Sequence, residues 1–160
     1  MSCRQGGVRR KIIIKSTKMQ TATFALGCFW GPDDYFSKLK GVMKTRVGYA
    51  GGTTKNPTYH NLGDYTETVE IIFDPKVISF EELLKHFWKQ HDPTVKEVAQ
   101  YQSIIFYHTL KQKKSAEKSK KEIGETLGKK IVTEIKKAGT FYEAEEYHQK
   151  YLQKGKGRVC

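Results

Sequence analysis

Cys28 lies inside Gly27-Cys28-Phe29-Trp30-Gly31-Pro32-Asp33-Asp34, and its neighbours decide what a thiol there can do. Ahead of it, Ala22, Phe24 and Leu26 alternate with Thr21, Thr23 and Ala25, the pattern of a half-buried strand. Behind it, Pro32 suits a first helical position and Asp33 and Asp34 suit a first turn. Tyr35, Phe36 and Leu39 then follow at helical spacing. The thiol therefore sits on a strand-to-helix turn, just before backbone N–H groups that no carbonyl has claimed. Negative charge is favoured there, and a proton is lost more easily. Such a residue is a candidate nucleophile, although a small core cysteine is equally at home at a strand end. Phe29 and Trp30 follow directly, between two glycines, and suggest a surface for something apolar.

The second candidate is a carboxyl. Thr66 to Phe73 reads as a strand, in which Glu67, Val69, Ile71 and Phe73 share one side. Glu67 begins the more apolar side. Desolvation there raises a carboxyl's pKa and lets it hold a proton near neutrality; a frayed strand end would instead leave it in water. Cys28 with His148 also raises the possibility of a Cys–His hydrolase.

These residues need elements to hold them. After the Cys28 helix, Gly41 marks a stop and Val42 to Tyr49 reads as a second strand. A turn-rich loop runs from Gly51 to Gly63, and Thr66 to Phe73 is the third strand. Ser79-Phe80-Glu81-Glu82 is a capping-box start, with Phe80, Leu83, Leu84, Phe87 and His91 on one helical face. Ser103 to Tyr107 reads as a central strand, and Leu110 to Leu127 as a polar helix with a thin stripe of Ala116, Ile123 and Leu127, closed by Gly128. Ile131 to Ile135 alternates as a strand. Ala144, Tyr147, His148, Tyr151 and Leu152 mark a last helix, and a mobile, glycine- and lysine-rich tail follows Lys154. The order strand, helix, strand, strand, helix, strand, helix predicts an α+β fold: a ferredoxin-like split βαβ core with an additional C-terminal strand, helix and flexible tail.

With 160 residues, 38% hydrophobic and 29% charged, the chain is long enough for one domain with a real core. No apolar run reaches the length of a membrane span. The three cysteines, Cys3, Cys28 and Cys160, make no paired framework and match no zinc spacing, so no metal is expected and a reducing cytoplasm is the natural compartment. The net charge of +12 is concentrated in Lys111 to Lys121 and Lys150 to Arg158. A nucleic-acid-binding module is one account, but no aromatic residue interrupts the lysine run, and a solvated helix face is the simpler one. Residues 1–20 read as a basic, disordered extension without a secretory signal's apolar core, and residues 21–160 as a single domain.

Beyond these local patterns, Gly27-Cys28-Phe29-Trp30-Gly31, Gly48-Tyr49-Ala50-Gly51-Gly52 and Asn56-Pro57-Thr58-Tyr59 resemble, in that order, the signature blocks of the A-type peptide methionine sulfoxide reductases. The similarity resumes at His91-Asp92-Pro93, Gln100-Tyr101, Phe141-Tyr142-Glu143-Ala144-Glu145 and His148-Gln149-Lys150-Tyr151-Leu152. The resemblance implies Cys28 as the thiolate attacking sulfoxide sulfur, Glu67 as proton donor to the oxygen (with Asp64 a weaker rival, since the match to Glu67 needs a gap), and Phe29 and Trp30 as the pocket for the methyl group. Tyr59 and Tyr101 would hydrogen-bond the oxygen, with His148 in support. Cys160 would resolve the sulfenic acid left on Cys28, and a thioredoxin-like dithiol would reopen the disulfide. Substrates would be oxidised proteins or free methionine sulfoxide, in the S configuration at sulfur. No cofactor is implied, and a monomer is expected. The chain departs from the pattern at Tyr65, where a histidine is common, at Gln102, which replaces an arginine, and around Glu97, where the loop is short and lacks the usual aspartate.

Overall fold

The computed structural model describes residues 18–155. Its strands are β1 (Gln20–Leu26), β2 (Val42–Ala50), β3 (Thr66–Phe73), β4 (Ser103–Tyr107), β5 (Glu134–Lys137) and β6 (Tyr142–Glu143). Its helices are α1 (Trp30–Ser37), α2 (Phe80–Lys89) and α3 (Leu110–Leu127), with short 3-10 turns at Ala99–Tyr101 and Glu146–His148. The six strands form one sheet in the order β5-β4-β1-β3-β2-β6. Within it, β4-β1-β3-β2 is antiparallel throughout, which is the split βαβ core, and β5 adds in parallel to β4. The α+β class expected from the order of elements is the class observed.

Alternation decides which face of the sheet is covered. Ala22, Phe24, Val69, Ile71, Phe73, Val47 and Ile105 turn towards the helices and are fully buried. The Phe24 ring is central, with its centroid 5.0 Å from that of Phe87, 5.8 Å from Phe36 and 6.0 Å from Phe80. Burying each such ring stabilises the fold by about 1.5–3 kcal/mol. The far face is thinner: Ala25, Ala50, Ile104 and Phe106 meet Ala138 and Phe141. The two longer helices start as expected. The Ser79 hydroxyl accepts from Glu82 N while the Glu82 carboxylate accepts from Ser79 N, and Thr109 caps α3.

Four local expectations change. Helix α1 begins at Trp30, so Pro32 is its third residue; a missing N–H does no harm there, because the first four amides of a helix have no internal partner. Of the expected α3 stripe, Ala116 is buried and Ile123 packs half-buried against the core, but Leu127 is exposed and Gln112 joins the buried face instead. The strand read at 131–135 begins at Glu134 instead.

The last helix is absent. Glu146–His148 makes one 3-10 turn, and Lys150 then takes a positive φ of 55°. Two anchors hold this shape. The Gln149 side chain acts as an extra strand residue, accepting from Val47 N at 3.0 Å and donating to Val47 O at 3.0 Å. The Lys150 backbone N–H donates to the buried Asp33 carboxylate at 2.8 Å, and its Nζ does so at 3.1 Å. A continuing helix would withdraw both amides from these partners. Asp33 is therefore a buried anchor for this segment rather than a solvated charge at a helix end.

Candidate active site

At the end of β1, Gly27 takes φ of 94°, a conformation that side chains disfavour, and the chain turns into α1. The turn leaves Cys28 half-buried, and it is disulfide-bonded in this structure. Cys28 lines a cleft of about 340 Å³ together with Leu26, His91, Val95, Glu97 and Tyr101. Cys3 and Cys160 lie outside the described residues, as do most of residues 1–20 and the end of the tail.

Glu67 lies where strand parity puts it, on the helix side of β3 and 1% exposed. Its Oε1 accepts from the Phe29 backbone N–H at 3.1 Å, so the amide that follows Cys28 is held by a carboxyl. Its Oε2 accepts from Gln100 Nε2 at 2.5 Å. Burial raises the carboxyl's pKa above the ordinary value, against the lowering pull of these two N–H donors. Asp64, the rival acid, is exposed and accepts from the N–H and hydroxyl of Thr53, both at 2.8 Å; those bonds hold its pKa below the ordinary value. It anchors a loop and does not join Glu67.

Tyr101 follows Gln100 in the 3-10 turn and shares a hydrogen bond with Tyr59. Burial first, then the nearby Glu67 and Tyr59, raise its pKa. Tyr59 arrives from the long loop, its backbone N–H donating to Glu145 Oε2 at 3.0 Å. The other Glu145 oxygen accepts from Tyr49 Oη at 2.7 Å. The structure thus brings Glu67, Tyr59 and Tyr101 together beside the Cys28 turn.

The expected pair of exposed rings is divided. Phe29 is 1% exposed, with its centroid 5.8 Å from that of Tyr49 and 5.2 Å from that of His148, so it forms the interior wall and offers no open surface in this state. Trp30 is half-buried, and Tyr151 is stacked on its ring at 3.7 Å. Trp30 Nε1 donates to His148 Nδ1 at 3.0 Å, which puts the histidine's hydrogen on Nε2. That atom is buried without a hydrogen-bond partner among the described residues, and burial lowers the ring's pKa. His148 therefore supports Trp30, and a hydrolase would need this nitrogen turned to a thiol. Glu97 lines the cleft, whereas Gln102 donates to Ala99 O at 3.3 Å and braces the 3-10 turn. Tyr65 is buried beneath the loop. Among the described residues, no group of three or more His, Cys, Asp or Glu side chains could hold a metal ion.

Sequence reasoning missed Gln100, Glu145 and the Asp33–Lys150 anchor. Gln100 and Glu145 stood inside matching blocks, but no spacing rule assigned them a carboxyl or a tyrosine.

The fold and site define a cysteine-centred α+β domain, with a buried carboxyl of raised pKa and two tyrosines beside the Cys28 turn. Residues 20–160 match the family model described as peptide methionine sulfoxide reductase, and the chain belongs to that family. Among curated relatives, the peptide methionine sulfoxide reductase MsrA of Methanothermobacter thermautotrophicus is 47% identical over 156 residues, covering 90% of this chain and 92% of the relative. That of Methanococcoides burtonii is 48% identical over 149 residues, covering 85% and 97%. Reduced Mxr1 from Saccharomyces cerevisiae superposes with a TM-score of 0.84 at 34% identity, covering 89% of this chain and 90% of that one. Mxr1 in complex with Trx2 gives 0.66 at 34% identity, covering 84% and 85%.

Proposed function

We propose that this protein reduces methionine S-sulfoxide, protein-bound or free, to methionine, and is recycled by a thioredoxin-like dithiol. The Cys28 thiolate attacks the sulfoxide sulfur while Glu67 gives its proton to the oxygen. Methionine departs with its sulfur lone pair restored, and Cys28 is left as a sulfenic acid. Tyr59 and Tyr101 hydrogen-bond the oxygen as charge develops on it, and Trp30, braced by His148 and backed by Phe29, borders the thioether. Cys160 then attacks the Cys28 sulfur, water leaves, and a Cys28–Cys160 disulfide remains. The external dithiol reduces that bond and is itself oxidised to a disulfide.

The observation that carries the reading is the Glu67 carboxyl: buried, raised in pKa, and hydrogen-bonded to the peptide N–H next to Cys28. Cys28 in a disulfide accords with the oxidised half of the cycle. The solved complex of Mxr1 with Trx2 supports a thioredoxin-like partner. Residues 21–160 would be the reductase unit. No helix among the described residues is long and apolar enough to cross a membrane, and a reducing cytoplasm fits thiol recycling. The test is incubation with dithiothreitol and each epimer of a blocked methionine sulfoxide; loss of the S epimer is expected, and loss of neither defeats the proposal. Cys160→Ser should complete one turnover and then stall with thioredoxin, and normal recycling would assign the resolving step elsewhere.

A further inference from the structure

The segment from Thr94 to Ala99 is mostly exposed, yet the two residues after it, Gln100 and Tyr101, face the site. Thr66 aims them. Its buried hydroxyl donates to Gln100 O at 3.0 Å and accepts from Gln102 N at 3.1 Å, so one oxygen brackets Tyr101 on both sides. Thr66 is also the residue before Glu67, and this clasp fixes the spacing between the carboxyl and the Gln100 amide. Glu67 then receives one N–H on each oxygen, from Phe29 and from Gln100.

We propose that Gln100 is a positioning residue for proton delivery, acting through Glu67 and aimed by Thr66. This rests on Glu67 being the proton donor. When the proton passes to the sulfoxide oxygen, Glu67 becomes a carboxylate at a buried position. A buried anion needs donors on both oxygens. The Phe29 amide is fixed by the backbone, whereas the Gln100 amide can serve either state. Its N–H₂ faces the ionised carboxylate, and after turning over, its carbonyl can accept from the protonated acid. The ionisable groups that act on Glu67 or are acted on by it are Tyr49 from β2 and Tyr101, which is hydrogen-bonded to Tyr59. None of them is an acid that could replace it as the proton donor near neutrality.

The test uses the reduced full-length protein, with Gln100→Leu as the variant that removes the amide and keeps an apolar side chain there. In single-turnover release of methionine from the S epimer, Gln100→Leu should slow reduction by about 10- to 100-fold, the worth of one hydrogen bond to a charged group. The alkaline limb of the pH–rate profile should move to higher pH. In a Glu67→Gln background, the same substitution should leave the residual rate unchanged. Equal slowing in both backgrounds would make Gln100 a structural support for the turn and overturn the proposal, as would an unmoved alkaline limb. A readout independent of activity is titration of the Glu67 side chain by carboxyl-carbon NMR. A higher pKa in Gln100→Leu supports the proposal and an unchanged one defeats it. A wild-type protein that releases no methionine would refute the proposed activity, while the NMR titration would still report on the Gln100–Glu67 contact.

Discussion

Replacing Asp33 with alanine tests the claim that one buried carboxylate holds the last segment in its non-helical path. Asp33 is fully buried and accepts from Thr45 Oγ1 at 2.6 Å, Lys150 N at 2.8 Å and Lys150 Nζ at 3.1 Å. Stranding one half of a fully buried ion pair costs about 3–5 kcal/mol. That figure is too large here, because Lys150 keeps its bonds to Thr45 O and Oγ1 and its side chain is 32% exposed. The uncompensated loss is an ionised acceptor for two donors, the Thr45 hydroxyl and the Lys150 N–H, at about 1.5–3 kcal/mol each before water entering the gap recovers part. Asp33→Ala should therefore destabilise the protein by about 2–4 kcal/mol. With an unfolding entropy of about 0.3 kcal/mol/K for a domain of this size, Tm should fall by about 7–13 °C. Asp33→Asn, which retains one acceptor oxygen, should lose about half as much. Thermal melts by circular dichroism measure the loss. Near-ultraviolet dichroism reports the Trp30–Tyr151 stack that this segment delivers. A Tm shift under about 2 °C, or asparagine as damaging as alanine, would refute the reasoning.

Three further outcomes follow from the same geometry. Burial raises the Glu67 pKa, so the stability it contributes is present below the unfolded value and is lost as pH rises through the folded one. Melts across that range should show Glu67→Gln gaining on the wild type with rising pH, while its reduction rate falls about 10²- to 10⁴-fold. His91 Nδ1 donates to Phe87 O at 2.9 Å and its Nε2 takes a hydrogen from Ser103 Oγ at 2.7 Å, a neutral arrangement whose pKa burial lowers. Its contribution is present above the unfolded value and is lost as pH falls through the folded one, so His91→Gln should flatten part of the acid-side decline in Tm; an unaltered slope would refute this. At Gly48 an added Cβ would meet Tyr142 O at 2.3 Å and the Phe141 ring at 2.6 Å, so Gly48→Ala should push β6 away at about 1–3 kcal/mol. Hydrogen exchange at Ala144, whose N–H donates to Val47 O at 2.9 Å, should quicken as a result.

Much of the core was legible because its signals are local and periodic. Alternation placed β1 and put Glu67 on the buried side of β3, and the Ser79 capping box and Gly128 marked helix ends before any tertiary contact was known. The end of the chain was not legible for the opposite reason. Ala144, Tyr147, His148, Tyr151 and Leu152 have helical spacing, but their path is decided by partners about a hundred residues away, Val47 and Asp33. The ring pair failed similarly. Adjacency made Phe29 and Trp30 look equivalent, whereas a helix start sends neighbouring side chains in different directions, one into the core and one to the rim. Gln100 carries no signal of its own, since an amide becomes functional only through the carboxyl it meets.

The two ends of the sheet are guarded in different ways, and this bears on the company the protein would keep. At the β2 side, the two-residue β6 and the Gln149 amide occupy backbone groups that an incoming strand would otherwise pair with. At the other side, β5 is only four residues long and shows exposed Glu134, Lys136 and Lys137. Short, charged borders of this kind resist the grafting of foreign strands. The sheet therefore leaves little free backbone at either border for an extended segment of an oxidised protein to pair with.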